Sequence, residues 1–219
     1  MKLHLFRPRT VPVPTPLGAA TLLGLLLSPL AYWFYFGESF LASTRRLPDA
    51  RILVVEGWIG PEGLRAAKEE FDTHNYEYIV TSGGETISEG WERGGWNYAR
   101  GAEKELVRLG IPSEEIISAP SKDTETGRTY RSAVAVIATL KERGISPKSI
   151  NVFTWGAHAQ RSRLVYAKAV GPKIPVGVIA WHSVEFNEKL PWWRSSDRAR
   201  DLIAESSGYF YELLLNSGR

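Results

Sequence analysis

Five short apolar runs, each followed by a turn and then by helical spacing, restrict this 219-residue chain more than any other feature. The runs are Arg51–Glu56, Tyr78–Ser82, Glu115–Ser118, Ile150–Thr154 and Ile174–Ala180. They are too short for buried helices and rich in Ile and Val, so they predict buried strands. Between them lie Leu64, Ala67, Lys68 and Phe71 after Pro61, then a segment from Trp96 to Leu109 stopped by Gly110. Further on come Tyr130, Ala133, Val134, Ile137 and Leu140, and then His158 to Val170, stopped by Gly171 and Pro172. A last helix is expected through Leu202, Ile203, Ser206, Phe210 and Leu213. Strand–helix alternation of this kind predicts an α/β fold: a five-stranded parallel sheet between two layers of helices. In the common order 3-2-1-4-5, strands one and four meet at the switch point, where ligands bind. Glu56 and His158 then stand side by side, with Ser82, Gly83 and Gly84 next to them.

The N-terminal segment is of another kind. No residue from Thr10 to Gly37 is charged, and Leu17–Phe36 is a mostly apolar span of about twenty residues, the length that crosses a hydrocarbon core. Pro29 is tolerated in a membrane helix, and Tyr32, Trp33, Phe34, Tyr35 and Phe36 are placed like an interfacial belt. A cleaved signal peptide is the rival reading, but cleavage after Ala42 would put Phe40 at the −3 position. The expected organisation is a cytoplasmic tail (1–16), a transmembrane anchor (17–37), a linker (38–50) and an α/β domain (51–219). Lys2, Arg7 and Arg9 precede the span and place the N-terminus in the cytoplasm, while Arg45, Arg46 and Arg51 beyond the span work against that bias. A single-pass protein of the bacterial plasma membrane is expected, with the C-terminal domain extracytoplasmic and the lipid bilayer as a partner.

The same three cations account for the whole formal charge of +3, which leaves the rest of the chain neutral. No basic groove calls for a nucleic acid. The absence of cysteine excludes disulfides, thiolate nucleophiles and Cys-ligated metals. With only four histidines and no His-x-Glu or His-x₃-His frame, no metal site is expected and no cofactor is specified.

His158 and Arg161 lie three apart at a helix start and share a face, so they suit a phosphate or carboxylate there. Alternatively, His158 is hydrogen-bonded in its loop and Arg161 pairs with a surface acid. Glu56 closes an apolar strand and is either a general base or a buried carboxylate that caps the next helix or pairs with Arg128 or Arg161. Ser82, Gly83 and Gly84 either offer backbone amides to an anion or make an ordinary tight turn. Arg128 opens the next helix as a ligand candidate, and Thr129 caps that helix or binds a ligand oxygen. Seven tryptophans (58, 91, 96, 155, 181, 192 and 193) are expected on loops along the ligand edge. They would stack on a sugar or base, dip into a membrane interface, or pack loop on loop.

Taken in order, these residues resemble the ElyC/SanA/YdcF family over roughly Arg51 to Gly177. The resemblance rests on the strand-one run, Ser82-Gly83-Gly84, Arg128-Thr129-Tyr130-Arg131-Ser132-Ala133, and Ala157-His158-Ala159-Gln160-Arg161-Ser162-Arg163. Ser132 stands where the family usually has Asn, and Glu56-Gly57-Trp58 replaces a glycine-rich strand end, as in a divergent branch. The resemblance implies a Rossmann-like domain, and anchored members are linked to bacterial envelope maintenance. One member is reported to bind S-adenosylmethionine. The resulting expectation is an envelope-maintenance protein holding an anionic ligand, such as a lipid-linked phosphate or sugar. Glu56 and His158 would be the catalytic pair, and Ser82, Gly83, Gly84, Arg128, Thr129 and Arg161 the binding residues. The alternative is a non-catalytic sensor of a nucleotide-like molecule such as S-adenosylmethionine, with Glu85 or Glu89 near its ribose.

Overall fold

The computed structural model describes residues 12–84, 97–122, 124 and 126–215. The elements run α1 (Pro16–Leu41), β1 (Ile52–Glu56), α2 (Gly60–Thr73), β2 (Tyr78–Gly84), α3 (Tyr98–Arg108), β3 (Ile116–Ser121), α4 (Arg128–Glu142), β4 (Ile150–Trp155), α5 (Ala159–Val170), β5 (Val176–Trp181) and α6 (Ser196–Leu215). The chain divides between Gly37 and Glu38 into two units.

In the first unit, α1 is long and apolar enough to cross a membrane. Its 26 residues give a rod of about 39 Å at the α-helical rise. Thr21 and Ser28 turn their hydroxyls back onto the carbonyls of Leu17 and Leu25, which leaves neither group unsatisfied on an apolar rod.

In the second unit the five strands form one parallel sheet in the order β3-β2-β1-β4-β5, a Rossmann-like arrangement. The order reverses at β1. Because parallel crossovers are right-handed, the helices joining β1 to β3 fall on one face and those joining β3 to β5 on the other. Alternation within the strands feeds both layers. Ile52, Val54, Val80, Ile150 and Val152 pack with Ala133, Val136 and Leu140 of α4 and Tyr166 of α5. Leu53, Val55, Ile79 and Phe153 pack with Leu64 and Phe71 of α2 and Leu106 of α3. The central strand β1 is buried along its whole length, so Ile52 to Val55 read as an unbroken apolar run ahead of Glu56.

Several element boundaries differ from expectation, three of them for local reasons that bear on the site. The helix α3 begins at Tyr98 because Asn97 caps it, its Oδ1 accepting the Arg100 N–H at 2.9 Å; Trp96 lies outside the described residues. The strand β2 runs on through Ser82, Gly83 and Gly84, paired in register with Ala119, Pro120 and Ser121. The expected tight turn is therefore strand. Gly83 has φ +143°, and a Cβ there would come within 2.6 Å of the Tyr98 Cβ, so glycine admits the start of α3. Finally, α5 starts at Ala159, since residues 156–158 make a separate 3₁₀ turn.

Residues 38–50, expected as a linker, are bound to the sheet. Arg45 and Val178 exchange backbone hydrogen bonds of 2.7 and 3.0 Å, and Thr44 Oγ1 accepts the Ala180 N–H at 3.0 Å. Asn151, buried on β4, grips Leu47 from both sides: its Oδ1 accepts the Leu47 N–H and its Nδ2 donates to the Leu47 carbonyl, each at 2.9 Å. Gln160 donates to the Ser43 carbonyl, and Arg46 forms a two-pronged pair with buried Glu70. The side chain of Asn151 explains the fit, since one amide replaces a strand neighbour for an otherwise irregular segment.

Candidate functional site

The carboxylate of Glu56 ends β1 at the switch point and is 3% exposed. It is held by three groups. Thr154 Oγ1 on β4 donates at 2.5 Å, Ser162 Oγ on α5 donates at 2.9 Å, and His158 Nε2 lies 3.4 Å away. The parallel pairing of β1 with β4 brings these residues together, as the expected strand order requires. Behind them, Ser82 Oγ shares a 3.0 Å hydrogen bond with the Tyr166 hydroxyl.

His158, 6% exposed, occupies the turn between β4 and α5. Its Nδ1 lies 2.9 Å from Arg161 Nη2 and 3.0 Å from Glu205 Oε2. Arg161 in turn clasps Glu205 through Nε at 2.6 Å and Nη2 at 3.1 Å. Trp58 meets the imidazole edge-on, ring centres 5.2 Å apart. Burial alone would raise the Glu205 carboxyl. The hydrogen bond and charge of His158, then those of Arg161, outweigh it and bring the group down to about 2.

In front of this cluster is an open cleft of about 420 Å³, lined by Trp58, Trp155, His158, Asp197, Arg200, Asp201 and Glu205. The indole Nε1 of Trp155 donates to Asp201 Oδ2 at 3.2 Å, and its ring stands against Trp181. Arg200 lies 3.5 Å from Asp197 and 3.7 Å from Asp201. Three carboxylates thus face one lining guanidinium, and the nearby cation Arg161 is already committed to Glu205. The lining is net negative.

This changes several sequence expectations. Glu56, His158 and Arg161 do converge. His158 Nε2 stands 3.4 Å from Glu56 and its Nδ1 3.0 Å from Glu205, while Glu56 also accepts from Thr154 and Ser162. Arg161 pairs with Glu205, an acid that is largely buried and not the surface acid of the alternative expectation. Ser82, Gly83 and Gly84 are spent on the sheet and on Tyr98, and do not line the cleft. Arg128 is exposed at the first residue of α4 and also lies off the lining. Thr129 caps nothing: the cap position is Gly127 in the left-handed conformation, with no side-chain hydrogen bond. Glu85, Glu89, Trp91 and Trp96 lie outside the described residues.

Sequence reading missed the contribution of α6. Asp197, Asp201 and Glu205 are spaced four apart and therefore share a helix face, a signal that was present. The apolar residues of that helix drew attention to its other sides. Among the described residues, no group of three or more His, Asp or Glu is arranged to hold a metal ion. Chemically, the lining offers two indoles and three carboxylates to a polar group. No protein-family model matches the chain, and a search of curated proteins found no match.

Proposed function

We propose that this is a membrane-anchored envelope-maintenance protein of the ElyC/SanA/YdcF kind, which binds the sugar portion of a lipid-linked ligand in its strand-end cleft. One observation carries the ligand class: Trp58 and Trp155 stand beside Asp197, Asp201 and Glu205. Indole faces stack on the apolar faces of sugar rings, and carboxylates accept from their hydroxyls. The net-negative lining repels an anion, so a phosphate of such a ligand stays outside the cleft. Glu205 is held ionised and His158 is engaged at both nitrogens, which favours holding a ligand over moving a proton. The helix α1 supports anchoring, and Lys2, Arg7 and Arg9 support a cytoplasmic N-terminus with the second unit outside the bacterial plasma membrane.

A second reading draws on the same lining. Negative charge with two indoles also suits a cationic nucleoside such as S-adenosylmethionine, whose adenine stacks and whose sulfonium is attracted. Titration calorimetry on the full chain in lipid nanodiscs separates the two, using chitotriose, N-acetylglucosamine 1-phosphate and S-adenosylmethionine as probes. The sugar reading expects heat from chitotriose, less from the phosphate, and loss of both with Trp58→Ala. Tighter binding of the phosphate than of the neutral sugar refutes the acidic-cleft argument. Binding of S-adenosylmethionine alone selects the second reading.

A further inference from the structure

The helix α6 has two different sides. The side facing the domain carries the cleft acids, buried Leu202, and Glu212, whose carboxylate takes a 3.0 Å bond from Lys168. The opposite side is apolar and exposed. Ile203, Phe210 and Leu214 recur at helical spacing with Ser207 between them, and Tyr211, Leu213 and Leu215 widen the last turns. Leu214 is 76% and Ile203 64% exposed. The hydroxyl of Ser207, at the middle of the stripe, donates back to the Ile203 carbonyl at 2.8 Å. It is satisfied without water, as a side chain facing lipid must be.

Two contacts fix where this helix is held. Arg198 near its start binds Glu38 through two bonds of 2.6 Å, and Tyr209 near its end packs edge-on against Phe40 at 5.3 Å. Both partners belong to the last turn of α1, directly after the apolar stretch that ends at Gly37. Three residues of chain reach at most about 11 Å, so Phe40 cannot leave the neighbourhood of that stretch.

We infer that the outer face of α6 rests on the lipid surface entered by α1, a second membrane contact formed by Ile203, Phe210 and Leu214. The inference rests on α1 crossing a membrane. Its chemistry is that of an interfacial helix, with aromatic and aliphatic side chains on the buried side and acids on the other. A second copy of the chain is the competing cover for the same face.

Because the chain has no cysteine, single nitroxide labels can be placed without background. The test uses the full chain in vesicles of phosphatidylethanolamine and phosphatidylglycerol, with Ile203→Cys, Leu214→Cys, Leu26→Cys in α1 and Glu142→Cys at the exposed end of α4. Each label's collisions with oxygen, which concentrates in lipid, are compared with those of a water-soluble nickel chelate. The expected result is an oxygen excess at 203, 214 and 26, with the sign reversed at 142. If 203 and 214 match 142 while 26 still reports lipid, the inference falls and the anchor stands. If 26 also reports water, the anchor reading fails and takes the inference with it. Labels at 203 and 214 shielded from both reagents and broadened by spin–spin coupling would assign the face to a second copy and overturn the lipid contact.

Discussion

Glu205→Gln tests the electrostatic design of the site most directly. Glu205 is largely buried and receives Arg161 through two bonds and His158 through a third contact. Its carboxyl stands at about 2, against an ordinary value of 4.5. A depression of that size corresponds to about 3 kcal/mol of folding stability at neutral pH. Breaking a buried ion pair by removing one partner costs about 3–5 kcal/mol, and the partial exposure of Arg161 puts this pair at the low end. The two routes agree. For a folded unit of this size the loss lowers the unfolding temperature by about 6–12 °C. The sign follows from the depressed value: the stabilisation is complete above the unfolded value of 4.5 and is lost as pH falls toward about 2. The difference between wild type and variant should therefore be largest at neutral pH and shrink steadily between pH 4.5 and 2. The assay is urea unfolding of the full chain in mild detergent, followed by tryptophan fluorescence at several pH values. Equal midpoints at pH 7, or a difference that does not change with acidification, would refute the pairing argument.

Other outcomes follow from the same geometry. Trp58→Ala should weaken ligand heat in calorimetry with little change in unfolding midpoint, because the indole is partly exposed over the cleft. Arg128→Ala should leave ligand affinity unchanged, since that residue is exposed and off the lining; a tenfold loss would show that the cleft extends to α4. Thr154→Val removes a donor to buried Glu56 and should cost about 1–3 kcal/mol in urea unfolding. Gly177→Ala would put a methyl 2.0 Å from Asn151 Oδ1 and 2.7 Å from the Arg45 carbonyl. It should cost about 1–3 kcal/mol as overpacking and open residues 42–48 to limited proteolysis.

Sheet order, the meeting of Glu56 with His158, and the apolar helix near the N-terminus were all legible from pattern and topology, because periodicity and crossover handedness are local rules with global consequences. The partners of those residues were not. Arg161 reads as a free cation until α6 brings Glu205 against it, 44 positions further along. Ser82, Gly83 and Gly84 read as a turn because glycine usually marks one, whereas here glycine answers the closeness of Tyr98, which no local rule reveals. The segment 38–50 reads as a linker because its sheet bridge is a single residue pair and its other grips come from distant side chains such as Asn151 and Gln160.

That docked segment also bears on whether the sheet can be extended by a second copy. An open sheet edge is a template for strand-to-strand assembly. Both edges are blunted. Along β5, the backbone groups of Val178 are already taken by Arg45. The other edge strand, β3, is six residues long and includes exposed Pro120, which has no N–H to offer. The segment that follows α1 thus also covers part of one edge of the sheet.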